Sequence, residues 1–141
     1  MRNKYHICLA CLLLMAIMPV VIGCSKSPDT TPILEDVTAQ EAFDLIQQNK
    51  GNPDFLIIDV RTPEEFKDGH IENAILIDFY AENFKDELAR LDREKTFFIY
   101  CRSGNRSGQA VDIMAELGFQ EVYNLSVGIK EWIAQGFPIV K

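Results

Sequence analysis

The sequence predicts an α/β domain: a mostly parallel sheet with helices on both faces. Two observations carry this. Short β-prone runs alternate with helix-start signatures throughout the last part of the chain, about 109 residues from Ile33 to Lys141. In addition, the runs Phe55–Val60 and Thr96–Tyr100 are almost continuously apolar, as strands covered on both sides require. Strands alternating with helices inside one domain argue for parallel pairing.

Taken in order, Thr38-Ala39-Gln40-Glu41 is a capping box, and Ala42, Phe43, Leu45 and Ile46 then fall on one helical face. Phe55 to Val60 follows as a strand. Thr62-Pro63-Glu64-Glu65 repeats the helix-start signature with proline in the first turn. Ala74 to Phe79 reads as a strand, and Ala81 to Leu91 as a helix aligning Phe84, Leu88 and Leu91. The acidic residues from Glu82 to Glu94 suit its solvated face. Thr96 to Tyr100 is the next strand and ends directly on Cys101. Ser107 to Leu117 then brings Ala110, Val111, Met114 and Leu117 to one face, and Gly118 stops it. Val122 to Leu125 is the last strand, and Ile129 to Ala134 a final helix around Trp132.

The segment before this domain has a different character. Arg2 and Lys4 precede an apolar run from Ile7 to Ile22, the layout of a secretory signal peptide over residues 1–23. The run is short for a membrane-spanning helix, which needs roughly 20 residues. Val21-Ile22-Gly23-Cys24 resembles the lipobox of bacterial lipoproteins, which implies cleavage before Cys24 and its acylation. Several acyl chains on one residue give a stable membrane hold, at about 0.8 kcal/mol per buried CH₂. Residues 24–32, polar and proline-containing, read as a flexible tether to the domain at 33–141. The expected location is therefore the cell envelope, outside the cytoplasm and lipid-anchored to a membrane.

Export changes the cysteine count. Of four cysteines, Cys8 and Cys11 leave with the signal and Cys24 is blocked by lipid, so Cys101 alone stays a thiol. In an oxidising compartment it has no partner for a disulfide. Losing Arg2 and Lys4 takes the formal charge from −7 to −9, with 21 acidic residues in the chain. An acidic body disfavours nucleic acid and anionic membrane surfaces as partners, and membrane contact is expected through the lipid alone.

The chemistry is expected in Cys101-Arg102-Ser103-Gly104-Asn105-Arg106-Ser107. A cysteine between a strand end and a helix start faces unpaired backbone N–H groups and the positive end of a helix dipole. Arg102 and Arg106 add two cations. Together these favour a thiolate, and so a reactive thiol near neutral pH. Gly104 permits the curl that lets the amides converge, and Ser103, Asn105 and Ser107 keep the pocket small and polar. The arginines suit the oxygens of a sulfonate or phosphate. The reaction these groups fit is two-step displacement: a sulfur passes from donor to Cys101 and then to an acceptor. No metal or other cofactor is implied.

Leu56-Ile57-Ile58-Asp59-Val60-Arg61-Thr62-Pro63-Glu64-Glu65-Phe66, then Gly69-His70-Ile71-Glu72-Asn73-Ala74, resembles the opening signature of rhodanese domains. The cysteine loop resembles their active site, and Leu117-Gly118-Phe119, Val122, Leu125, Gly128 and Trp132 their closing pattern. The resemblance implies a rhodanese-like, five-stranded sheet and sulfurtransferase activity. It implies Cys101 as catalytic residue, residues Arg102 to Ser107 as the surrounding substrate loop, and Asp59 and Arg61 as support. The implied partners are a small sulfur-containing anion such as thiosulfate or polysulfide, and a thiol or cyanide acceptor. A sulfur-accepting protein could fill the second role. Two departures stand out: Val127-Gly128 where many relatives have Gly-Gly, and Glu72-Asn73 where many have Pro-Gly, though Asn tolerates a left-handed turn.

Competing readings are a cysteine-based phosphatase or arsenate reductase and a non-catalytic binding module. The phosphatase class places five residues between cysteine and arginine, whereas four separate Cys101 from Arg106. Binding modules of the rhodanese kind commonly lose the cysteine that is present here. A disulfide oxidoreductase would need a resolving thiol, which only an unlipidated Cys24 could supply. His70 reads as a packed or capping residue, Asp59 as an ion-pair or turn residue, and Trp132 and Tyr123 as core.

Overall fold

A computed structural model describes residues 31–141. The expected signal peptide, Cys24 and most of the tether lie outside the described residues. Five strands, β1 (Ile33–Val37), β2 (Phe55–Asp59), β3 (Ala74–Leu76), β4 (Thr96–Tyr100) and β5 (Glu121–Leu125), form one sheet in the order β1-β5-β4-β2-β3. Every pairing is parallel. Helices α1 (Ala39–Gln48), α2 (Pro63–Asp68), α3 (Phe84–Ala89), α4 (Asn105–Glu116) and α5 (Gly128–Ala134) connect or follow the strands. The α/β class, the parallel sheet and its five strands agree with the sequence reading.

The central strand explains why its sequence lacks polar alternation. Phe97, Ile99 and Cys101 belong to a core layer with Phe84 and Leu88 of α3 and Ala110 and Met114 of α4. Phe98 and Tyr100 belong to a second layer with Ala39 and Ala42 of α1 and Ile129 and Trp132 of α5. Successive side chains of a strand point to opposite faces, so β4 must be apolar at every position to serve both layers. All four residues from Phe97 to Tyr100 are fully buried.

The two capping boxes form as read. Thr38 and Glu41 cap α1, and Thr62 and Glu65 cap α2, each by reciprocal side-chain and backbone hydrogen bonds. Asn73 takes φ 65°, the left-handed turn that its position after Glu72 requires.

Three elements differ from expectation. Strand β1 was not distinguished in the sequence, because Glu35 and Asp36 interrupt its apolar residues and four of its five positions are exposed. It lies at the sheet edge, where acidic residues discourage further pairing. Strand β3 stops at Leu76, although the amides of Ile77 and Phe79 still reach the carbonyls of Asp59 and Val60. Helix α3 begins only at Phe84. Asp78 accepts from the amide of Tyr80 (3.0 Å), and this local turn competes with helix over the residues before it.

Candidate active site

Cys101 follows the last residue of β4 and is 1% exposed. In parallel sheets ligands gather beyond the carboxyl ends of the strands, and β4 is the middle strand of this one. The thiol is free, and the Gly104 amide donates to its Sγ at 3.2 Å. The Ser107 hydroxyl lies 3.5 Å from Sγ and 3.2 Å from the Gly104 carbonyl. Burial alone would push the thiol up. Donors from the Ser107 hydroxyl and the amides of Ser107, Ser103 and Gly104 outweigh burial and bring it below its ordinary value.

The amides are available because of how α4 starts. Helices α1 and α2 use Thr side chains to satisfy their first-turn N–H groups; α4 has Gly104 at its N-cap and no side-chain cap. Its donors are thus left for whatever sits in the curl of the loop, and Cys101 occupies that place.

A second helix shapes the loop from behind. The amides of Ile129 and Lys130, in the first turn of α5, donate to the carbonyls of Cys101 (2.9 Å) and Arg102 (3.2 Å). Those carbonyls are thereby tied to α5, while the amides that follow serve the sulfur. The approach is too close for side chains on the two facing turns. At Gly128 (φ 68°) a Cβ would overlap the Arg102 carbonyl, and at Gly104 (φ 90°) it would overlap the Ser126 carbonyl. Val127 is 41% exposed and tolerates a side chain, so the Val-Gly departure leaves the turn intact.

The two arginines of the loop differ in their surroundings. They were expected as two cations beside the sulfur. Arg102 is exposed and has no ion pair among the described residues. Arg106 is not free: its two terminal nitrogens fork onto the Glu65 carboxylate at 2.7 and 2.9 Å. The fork holds Arg106 above its ordinary value, against burial, with smaller contributions from the charges of Glu65 and Cys101. The same fork is the main reason that Glu65 falls to about 2. Cys101 therefore owes its lowered value chiefly to neutral donors. Among the remaining loop residues, Ser103 and Asn105 are exposed and Ser107 is buried.

Asp59 and Arg61 form a separate, buried unit. Arg61 pairs with Asp59 at 2.6 Å, donates to the Gly69 carbonyl at 2.7 Å and lies 5.7 Å from the centroid of the Tyr100 ring. Tyr100 Oη accepts from the Ile71 amide at 3.0 Å. Burial, then the Asp59 charge, push this phenol far up, so its hydroxyl stays protonated. The end of β2, the end of α2 and the residue before Cys101 are thus bound together. Removing one partner of such a buried pair costs about 3–5 kcal/mol. His70 stacks on Phe66 at 3.7 Å, and its Nδ1–H donates to the Phe66 carbonyl at 3.0 Å.

Sequence reasoning missed Glu65 as a member of this neighbourhood. It read the residue as a helix cap, which is also true: the Thr62 amide donates to the same carboxylate at 3.1 Å. No group of three or more His, Cys, Asp or Glu side chains among the described residues is placed to hold a metal ion.

This geometry has clear counterparts. A sulfurtransferase of Allochromatium vinosum is 34% identical over 96 residues, covering 68% of this chain and 88% of that protein. A tRNA uridine(34) hydroxylase of Chlamydia trachomatis is 36% identical over 116 residues, 78% of this chain but 34% of its own length. The chain spans about a third of that hydroxylase. Among solved structures, a rhodanese-related protein from Thermoplasma volcanium matches with a TM-score of 0.64 at 30% identity, over 76% of this chain and 98% of that one. A rhodanese-like domain protein from Staphylococcus aureus matches with a TM-score of 0.62 at 28% identity, over 77% and 100%. A family model described as a rhodanese-like domain matches residues 38–135, from the cap of α1 to the end of α5, and the chain belongs to that family.

Proposed function

We propose that the protein is a sulfurtransferase that moves a sulfane sulfur from a donor such as thiosulfate to a thiophilic acceptor through a persulfide on Cys101. The observation that carries this reading is the buried Sγ at the mouth of an uncapped helix, with donors from Ser103, Gly104 and Ser107 around it. Its thiolate attacks the outer sulfur of thiosulfate. A bond forms between Sγ and that sulfur, the old S–S bond breaks, and sulfite leaves with the electron pair. The persulfide then carries the negative charge, and the same amides that held the thiolate hold the added sulfur. Cyanide or a thiolate attacks it, thiocyanate or a new persulfide departs, and Cys101 returns as thiolate. Each step is a covalent displacement, so double-reciprocal plots are expected to be parallel. A polysulfide or a sulfur-accepting protein fits the same two roles.

The phosphatase alternative is disfavoured by the loop length, since four residues separate Cys101 from Arg106 where that class places five. The acidic composition supports a small-molecule or protein acceptor rather than nucleic acid. The lipobox-like Val21-Ile22-Gly23-Cys24 supports an envelope location with Cys24 as the lipid-bearing residue.

The test is a mass measurement. After exposure to thiosulfate, the intact protein should gain one sulfur, located at Cys101 by peptide mapping. Cys101→Ser should fold, gain no sulfur and yield no thiocyanate from thiosulfate and cyanide. Undiminished turnover in that variant refutes the assignment.

A further inference from the structure

Arg106 and Glu65 lie 41 positions apart in sequence yet are joined by a two-point fork at 2.7 and 2.9 Å. Their side chains are 14% and 27% exposed, so neither can turn to solvent without breaking the fork. The carboxylate has three donors at once: both terminal nitrogens of Arg106 and the amide of Thr62. The guanidinium also lies 5.6 Å from the centroid of the Tyr80 ring, which closes another side of it. Near Sγ the loop therefore presents a neutralised pair, a set of neutral donors and one exposed guanidinium, that of Arg102, on a chain whose formal charge is −7. A dianion approaching that site is denied the second of the loop's two guanidinium groups, and the rest of the molecule repels it. Sγ is also recessed, so the incoming group must be slender at the reacting end.

We propose that Glu65 is the donor-selecting residue of the Cys101 pocket: by holding Arg106 as a closed ion pair it withholds a cation from sulfonates and favours organic persulfides over thiosulfate. The inference rests on the sulfur-transfer reading and specifies its substrate class. With an organic persulfide the balance is simple. The Cys101 thiolate forms a bond to the outer sulfur, the donor's S–S bond breaks, and the departing thiolate takes the electron pair; the proton on the outer sulfur stays with it. No dianion has to be accommodated at any point. Glu65 acts through Arg106 and is a positioning residue, not a catalytic one.

Glu65→Gln separates the two roles of the side chain, because glutamine also completes a capping box but carries no charge. In the full-length protein, the rate at which Cys101 gains one sulfur would be measured with thiosulfate and with cysteine persulfide. The expected result is a rise of roughly tenfold in the thiosulfate-to-persulfide rate ratio. The rise should vanish in Glu65→Gln combined with Arg106→Gln, which has no guanidinium to release. An unchanged ratio in the single variant, or a rise that survives loss of Arg106, overturns the proposal. Glu65→Ala gives the same reading if the glutamine variant does not fold. Alkylation makes the outcome independent of sulfur transfer: the rate ratio of anionic iodoacetate to neutral iodoacetamide should rise in the same variants. If neither donor loads sulfur but this ratio moves, the sulfur-transfer reading fails and charge control by Glu65 stands. If sulfur loads and neither ratio moves, Glu65 has no part in selection.

Discussion

Cys101 combines two conditions that usually oppose each other, since removal from water disfavours a thiolate while the surrounding donors favour it. The balance falls on the thiolate side, so the reactive fraction is present at lower pH than for an ordinary cysteine, and the rate should decline as pH falls through the thiol's lowered value. Ser107→Ala removes the hydroxyl but keeps the amide. It should move the midpoint of the pH–alkylation profile upward and slow reaction at neutral pH, with the high-pH plateau retained. An unmoved midpoint would show that the hydroxyl spends its hydrogen bond on the Gly104 carbonyl instead. At this scale the sequence was informative about where the thiol sits, because a β-prone run that ends directly on a cysteine, with glycine three residues later, has a local physical meaning. It could not reveal that Glu65 meets Arg106. Nothing local distinguishes a capping carboxylate with a spare oxygen from one without, and only folding brings α2 against the start of α4.

Two helix starts converge on the loop at the scale of elements. One supplies amides to the sulfur, and the other withdraws the carbonyls of Cys101 and Arg102. The arrangement depends on a backbone-to-backbone approach that Gly128 alone permits at its position. Gly128→Ala should therefore cost more than its positive φ, about 1 kcal/mol, because the overlap pushes the loop off α5. The expected outcome is a lower melting temperature and at least a tenfold slower persulfidation at Cys101, while Val127→Gly leaves both nearly unchanged. Equal behaviour of the two variants would show that the turn yields easily. Elements with a complete local signal, such as α1 and α2 with their capping boxes, were legible from sequence. Strand β1 was not, since a largely exposed edge strand has little burial pattern to display and owes its pairing to β5.

At the largest scale, the described residues form a two-layered core around one sheet, with Cys101 just past the end of the middle strand and β1 at an edge. Among the described residues no helix is long and apolar enough to cross a membrane. The membrane attachment proposed above is acylation of Cys24, which lies outside the described residues. Cys24→Ser should shift the protein from the membrane fraction to the soluble one and leave the rate of sulfur loading at Cys101 unaltered. Retention in the membrane fraction would argue against acylation as the anchor. Cys101 itself has a structural side to its position. It is the last side chain of the row Phe97, Ile99, Cys101, and it packs in the same layer as Phe119 and Met114. The thiol is thus an outpost of a hydrophobic layer and cannot be adjusted apart from it. Loosening any ring in that layer detunes the sulfur, so a simple thiol reagent doubles as a gauge of how well one half of the interior is packed.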